Sequence, residues 1–173
     1  VCIMRKLFTN NLMSTYKRLP ISFKRGEGVW LQSKNGDKYL DALSGIAVNT
    51  LGYSHPKFVE VVAEQIKNLI HISNVYNIEE QCLLGKELAN LSKLYSTFFC
   101  NSGCEANEAA IKIARLHGHA LGIQNPEIIV MDNAFHGRTM ATLSASGSRK
   151  VQAGFEPLMS GFLRVPFDNI EAI

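Results

Sequence analysis

Two short stretches hold the residues best suited to chemistry. The first is Ser102-Gly103-Cys104-Glu105, between the apolar run Tyr95 to Cys100 and an alanine-rich helical pattern. Ser102 and Glu105 have the spacing of a capping box, which starts a helix at Gly103. A helix N-terminus leaves backbone N–H groups unpaired and carries positive dipole character. Gly103 adds no side chain to block an approaching anion. The N–H groups of Gly103 and Cys104, with the Ser102 hydroxyl, would therefore suit a phosphate. A capped helix with no ligand has the same signature. The segment is neither a P-loop nor a G-x-G-x-x-G turn, so nothing in it argues directly for a nucleotide.

The second stretch runs from Asp132 to Thr139, just after the apolar run Ile128 to Met131. Phe135 offers a face for stacking on a flat ring. Arg138 offers a planar fork for a carboxylate. Gly137 permits tight backbone passage. Taken singly, Phe135 reads equally as a core side chain and Arg138 as a solvated one. Together, with His136 between them at the end of a strand, they read as a site. In a parallel α/β sheet, ligands bind beyond the carboxyl ends of the strands, and both stretches leave strands at that edge.

The elements that must position these residues follow from periodicity. Gly28 to Asp41 reads as a hairpin turning at Asn35-Gly36. Pro56 to Ile70 reads as a helix with Val59, Val62, Ala63, Ile66, Leu69 and Ile70 on one buried face. Glu79 to Leu91 reads as a second helix, with Gly85 as a weak point. Tyr95 to Cys100 is expected to be a buried strand. Cys104 to His117 is expected to be a helix burying Ala106, Ala109, Ala110, Ile113 and Ala114, with an exposed Glu108–Lys112 pair. Ile128 to Met131 and Phe162 to Val165 read as further strands. Asp168 to Glu171 has capping-box spacing and announces another helix. Strands alternating with helices give an α/β fold with a mainly parallel sheet.

Composition excludes several classes. The chain has 173 residues, 46% of them hydrophobic and 19% charged. That balance is globular, neither disordered nor fibrous. The net charge of +3 is spread along the sequence and makes no case for nucleic acid. No uncharged apolar run approaches the ~20 residues of a membrane span. Val1 to Phe8 is too short for a secretory signal. Cys2, Cys82, Cys100 and Cys104 are unevenly placed, which fits reduced thiols in the cytoplasm. Cys100 and Cys104 have no second cysteine pair to complete a zinc site, and His117 and His119 have no nearby carboxylate, so no metal is expected. His136 lacks the Ser or Cys nucleophile motif of a hydrolase. His55 and His71 read as packed or capping histidines.

Ser102-Gly103-Cys104-Glu105-Ala106-Asn107-Glu108-Ala109 and Phe135-His136-Gly137-Arg138-Thr139 resemble motifs of the class III pyridoxal-phosphate aminotransferases. Leu43 to Gly52, followed by His55-Pro56, and Ser73-Asn74-Val75-Tyr76 narrow the resemblance to the acetylornithine aminotransferase branch. It runs from about Met13 to Ile173. It implies a truncated fold type I transferase. Residues 1–52 would contribute to a small domain, and residues 53–173 would form the first part of a large cofactor-binding domain with a mostly parallel sheet. Ser102, Gly103, Cys104, Phe135 and His136 would bind pyridoxal 5'-phosphate, with Phe135 on its ring, and Arg138 would hold a substrate carboxylate. At position 104 many relatives have Ala or Thr. A backbone N–H contact tolerates Cys there.

The implied reaction moves the δ-amino group of N2-acetylornithine to 2-oxoglutarate, a step of arginine biosynthesis, in a cytoplasmic homodimer. Runner-up amines are succinylornithine, succinyl-diaminopimelate, ornithine and 4-aminobutyrate. A reading from another class is a non-catalytic interaction module. In the family, the lysine that holds the cofactor and the aspartate that pairs with its ring nitrogen follow well after the Phe-His-Gly-Arg motif. Both are expected beyond Ile173, so no catalytic residue is assigned here and the 173 residues alone are expected to be inactive.

Overall fold

The structure, a computed structural model, describes residues 11–173. The Val1 to Phe8 stretch and Cys2 lie outside the described residues. The chain divides into two compact units, Val1–Ile78 and Glu79–Ile173.

The first unit is built on an antiparallel sheet of β1 (Phe23–Glu27), β2 (Trp30–Ser33) and β3 (Lys38–Leu40), in that order. The expected hairpin is β2–β3, with Trp30 opposite Leu40 and Gln32 opposite Lys38. Strand β1 was not expected, because Phe-Lys-Arg-Gly-Glu lacks apolar alternation. Pairing with β2 makes it a strand, with a bulge between Phe23 and Arg25. Phe23 meets Tyr39 edge to face, ring centroids 5.6 Å apart.

A single turn, α1 (Ser44–Ala47), follows, and it is left-handed: φ is 49° at Ser44, 65° at Gly45 and Ile46, and 60° at Ala47. Such a turn is unfavourable by roughly 1–2 kcal/mol per non-glycine residue and needs local support. Asp41 supplies it, its Oδ1 accepting from the Leu43 and Ser44 N–H groups at 3.1 Å. Ser44 Oγ donates to the Asn49 carbonyl at 2.9 Å. Helix α2 (Pro56–Asn68) begins at His55, whose Nδ1 accepts from Phe58 N at 3.4 Å. His55 is thus a capping histidine. Leu69 is extended and ends the helix two residues before the expected Ile70. The apolar stripe exists, but Val59, Val62 and Ile66 face solvent.

The second unit contains α3 (Glu79–Ser92), α4 (Gly103–Ala120), β4 (Ile128–Met131), α5 (Met140–Ala145), α6 (Arg149–Gln152), β5 (Phe162–Val165) and a 3-10 turn, Ile170–Ala172. Gly85 in α3 does not break the helix, and a Cβ there would meet the Phe99 ring at an ordinary contact distance of 3.8 Å. Strands β4 and β5 pair in parallel, Ile128 opposite Phe162 and Met131 opposite Val165. A helical crossover joins them, as the α/β reading requires.

Four expectations are corrected. Tyr95 to Cys100 is not a strand. No neighbouring strand hydrogen-bonds to it among the described residues, and Tyr95 is fully exposed. An apolar run becomes a strand only through its ladder. Next, the buried face of α4 carries Ile111 and Gly118, with Cys104, Asn107, Glu108, Ala109 and Arg115 part-buried. Of the expected face Ala109 is part-buried, while Ala106, Ala110 and Ala114 are exposed and Ile113 is 64% exposed. The observed face includes the polar and charged side chains of Asn107, Glu108 and Arg115, so apolar periodicity did not mark most of it. Third, Glu108 does not pair with Lys112; it accepts from the Thr139 hydroxyl. Last, the turn after Asp168 stays a single 3-10 turn, with Asn169 rather than Asp168 at its N-cap position and no side-chain cap bond, and Asp168 itself adopts φ 56°.

The core of this unit is α5, which no apolar pattern announced. Ala141, Thr142, Leu143, Ser144 and Ala145 are all buried beside Val130 and Val165. Its hydroxyls are satisfied internally: Ser144 Oγ donates to Met140 O at 2.6 Å and Ser146 Oγ to Thr142 O at 2.9 Å. Its last carbonyls are met by side chains. Gln152 Nε2 donates to Leu143 O and Ser146 O at 3.0 and 2.6 Å, and Arg164 Nη2 to Ser144 O and Ser146 O at 2.5 and 2.9 Å. Buried polar groups of this kind persist only when paired. Among the described residues no helix is long and apolar enough to cross a membrane.

Candidate functional site

Ser102 is the N-cap of α4, with extended backbone, and its Oγ accepts from Glu105 N at 3.2 Å. The capping box is displaced by one residue on its return leg, since Glu105 Oε2 accepts from Asn101 N at 2.6 Å. The Ser102 carbonyl takes the Ala106 N–H. No group among the described residues accepts from the Gly103 or Cys104 N–H. A Cβ placed on Gly103 would meet nothing within 4 Å, so the space above those N–H groups is open. The end of an 18-residue helix with unclaimed donors and free access suits an anion.

The stretch from Asp132 to Thr139 leaves β4 at its carboxyl end and passes beside this helix end. Gly137 makes the junction. It has φ 137° and is buried; a Cβ there would lie 2.6 Å from Thr142 Oγ1 and would overlap Cys104. Only glycine allows that approach. Cys104 Sγ contacts Thr142 Oγ1 at 3.3 Å and Thr139 Oγ1 at 3.6 Å. These hydroxyls, with the Thr139 and Arg138 backbone, stabilise the thiolate. The Thr142 hydroxyl contributes most, and the Cys104 pKa falls from 9.0 to about 7.

Phe135 is 69% exposed, so it is not the core side chain of the blander reading, and its ring is available for stacking. Arg138 is also exposed. His136 differs: it is part-buried, and its Nε2 is shielded from solvent without a hydrogen-bond partner. An orphaned ring nitrogen beside an open anion cradle is a donor or acceptor in reserve. Among the described residues no three His, Cys, Asp or Glu side chains converge as a metal site would require. A separate hollow of about 800 Å³, lined in part by Asp132, Arg149, Gln152, Glu156 and Arg164, includes none of Ser102, Gly103, Cys104, Phe135, His136 or Arg138.

The structure therefore brings the two sequence-predicted stretches together through Gly137 and Cys104. Sequence reasoning placed none of the residues that join them in the site: Asn107, Glu108, Thr139, Thr142 and Ser146, of which Glu108 was expected to pair with Lys112 instead. Asn107, Glu108 and Thr139 lie inside the motifs quoted above, while Thr142 and Ser146 had no signal beyond being small and polar.

A parallel strand pair, with a loop at the carboxyl end of β4 that bears an aromatic and an arginine and packs beside a capped helix end, defines an α/β unit. Residues 12–173 match the aminotransferase class-III family, and the chain belongs to it. This is a pyridoxal-phosphate-dependent family of transferases. The chain is 60% identical over 164 residues to the acetylornithine aminotransferase of Nitrosomonas europaea, covering 95% of this chain and 42% of that protein. It is 50% identical to that of Methanocaldococcus jannaschii, covering 93% of this chain and 41% of that one. Among solved structures, the ornithine aminotransferase of Toxoplasma gondii superposes with a TM-score of 0.91 at 23% identity, over 98% of this chain and 41% of that one. A Bacillus anthracis aminotransferase does so with a TM-score of 0.84 at 30% identity, over 95% and 38%. The chain thus spans about two fifths of the curated relatives named here.

Proposed function

We propose that the protein carrying this chain is a transaminase that moves the δ-amino group of N2-acetylornithine to 2-oxoglutarate, as its relatives' names suggest. The observation that supports this most is the packing of Gly137 on Cys104, which sets the Phe135–Arg138 loop beside the open N-terminus of α4. The residues present fit pyridoxal 5'-phosphate: unclaimed N–H groups at Gly103 and Cys104, the Ser102 hydroxyl beside them, an exposed ring at Phe135 and an orphaned Nε2 on His136. When bound, that cofactor supplies an electron sink for amine chemistry. Gly103 and Cys104 would hold its phosphate by backbone N–H donation, reinforced by the helix dipole. Phe135 would cover one ring face and exclude water from it. Arg138 would orient substrates by a forked pair of N–H bonds to a carboxylate, a group that both N2-acetylornithine and 2-oxoglutarate carry.

In the same reading, residues 1–52 contribute to a small domain and 53–173 begin the large one. The protein works as a cytoplasmic homodimer in arginine biosynthesis. The unpaired thiols of Cys82, Cys100 and Cys104 accord with a reducing compartment. The test is glutamate formation from 2-oxoglutarate by the full-length protein with N2-acetylornithine, succinylornithine, succinyl-diaminopimelate, ornithine and 4-aminobutyrate as competing amines. The highest kcat/KM is expected with N2-acetylornithine. A higher value with another amine reassigns the substrate, and no turnover with any amine removes the reading.

A further inference from the structure

The two peptide units that meet at His136 are each held by a side chain, one from either side. The His136 carbonyl accepts from Asn107 Nδ2 at 2.8 Å, and the His136 N–H donates to Ser146 Oγ at 3.0 Å. Asn107 belongs to α4, one turn past its open N-terminus. Ser146 follows α5 and is 1% exposed, its own hydroxyl committed to Thr142 O at 2.9 Å. Neither partner is free to drift. Gly147 N adds a bond to Ala134 O at 2.9 Å. The Phe135 and Arg138 side chains on either side are exposed; the packing of Gly137 on Cys104 and Thr142 fixes the backbone at one point, and the His136 bonds fix it at the next.

We infer that Asn107 and Ser146 are positioning residues, which clamp the two peptide units on either side of the His136 Cα and thereby set where Phe135 and Arg138 stand relative to the N-terminus of α4. The chemistry is that of a fixed backbone: a ring and a guanidinium on a wandering loop lose the geometry that makes them useful. Asn107 suits the task because it offers a donor to a carbonyl on a stem short enough to hold a fixed rotamer. An aspartate of the same shape offers no donor and would repel the carbonyl. Ser146 suits the other side because a hydroxyl accepts and donates at once. The consequence for cofactor and substrate rests on the transaminase reading above; the clamp itself does not.

The experiment has two arms. In the first, amide hydrogen exchange is followed on the full chain without cofactor, comparing the unaltered protein with Asn107→Asp and Ser146→Ala. Exchange across residues 134–138 is expected to quicken about tenfold, the factor one ordinary hydrogen bond commands, while β4 stays as slow as before. In the second arm the loaded full-length enzyme is assayed. Asn107→Asp is expected to raise the KM for 2-oxoglutarate about tenfold and to weaken retention of the cofactor, with kcat within about twofold. Unchanged exchange across 134–138 in Asn107→Asp overturns the clamp. So does an equal rise in exchange across β4, which would mark general loosening, or a fall in kcat at unchanged KM. If the unaltered enzyme shows no transamination, the functional reading fails and the exchange arm still decides the clamp.

Discussion

Cys104 Sγ lies 3.3 Å from Thr142 Oγ1, although 38 residues separate the two in the chain. The contact joins the open end of α4 to the most deeply buried segment of the second unit. The Thr142 hydroxyl is 2.7 Å from that of Thr139, which in turn donates to Glu108. A polar relay thus runs from α4 through the loop and back to α4. The relay, with little apolar packing, holds the two site stretches together.

A thiol in that relay should report on the site. Hydrogen bonds from Thr142 first, then Thr139 and the Arg138 backbone, hold the Cys104 pKa at about 7, below the ordinary 9.0. The sign follows: the thiolate's favourable contribution to folding is complete above pH 9 and is lost as pH falls through about 7. Alkylation of Cys104, followed by mass spectrometry, should rise with a midpoint near pH 7. Pyridoxal phosphate, or inorganic phosphate at higher concentration, should slow the reaction and move the midpoint upward. An anion on the Gly103 and Cys104 N–H groups places negative charge beside the sulfur and disfavours its ionisation. An unchanged rate with cofactor present would argue that the phosphate sits elsewhere.

Gly137→Ala should damage the junction itself. The added Cβ would stand 2.6 Å from Thr142 Oγ1 and overlap Cys104, at a φ of 137° that an L side chain rarely adopts. Overpacking of this kind destabilises by roughly 1–3 kcal/mol. A fall in the urea midpoint, with faster alkylation of Cys104, is the expected outcome. Gly122→Ala is a fair control, because its φ of 82° is also strained while nothing lies within 4 Å of its Cβ. Equal losses in both variants would mean that backbone strain matters and the contact does not.

Local chemistry was legible in the sequence where it is written in consecutive residues. Asn35-Gly36 gave the hairpin, Pro56 the start of α2, and Ser102 the cap of α4, because turns and caps depend on near neighbours. The site stretches were legible for the same reason. What failed depended on distant partners. Tyr95 to Cys100 carries the residues of a strand, but among the described residues no strand pairs with it. The alanine face of α4 looked buried, yet Ala109 is its one part-buried member, and Ile111 and Gly118 are the buried residues. Helix α5 hides its Thr and Ser side chains by bonding them to its own carbonyls and its neighbours, which no periodicity of apolar residues records.

In the first unit, Asp41 and Tyr53 should set a pH window. Tyr53 Oη donates to Asp41 Oδ2 at 2.6 Å, and Asp41 braces the left-handed turn Ser44–Ala47. That bond holds the Asp41 pKa below its usual 3.8 and the Tyr53 pKa above its usual 10.0. The carboxylate's contribution is present above pH 3.8 and is lost as pH falls further; the phenol's is present below pH 10 and is lost as pH rises beyond it. Amide exchange at Leu43 and Ser44 should therefore be protected between those limits, beyond the intrinsic pH dependence of exchange. Tyr53→Phe should raise the Asp41 pKa toward 3.8, seen by carboxyl NMR titration. An Asp41 titration indifferent to that change would show that the Leu43 and Ser44 N–H groups suffice alone.

Arg138→Lys tests the carboxylate fork. Arginine presents parallel N–H donors in a plane that matches both oxygens of a carboxylate, whereas lysine presents a point charge on a flexible stem. The charge survives the substitution and the geometry does not. If Arg138 orients both substrates, the full-length enzyme should show a KM for 2-oxoglutarate and for N2-acetylornithine raised about tenfold or more, the scale of one charge-assisted bond. Cofactor absorbance should stay as in the unaltered protein, because the phosphate and ring contacts come from Gly103, Cys104 and Phe135. Putrescine, a diamine with no carboxylate, should lose none of whatever slow turnover it shows. A KM that rises for one acid substrate alone would assign Arg138 to that substrate. Loss of cofactor together with both KM changes would instead mean that Arg138 supports the loop, and the fork would have to be sought in another residue.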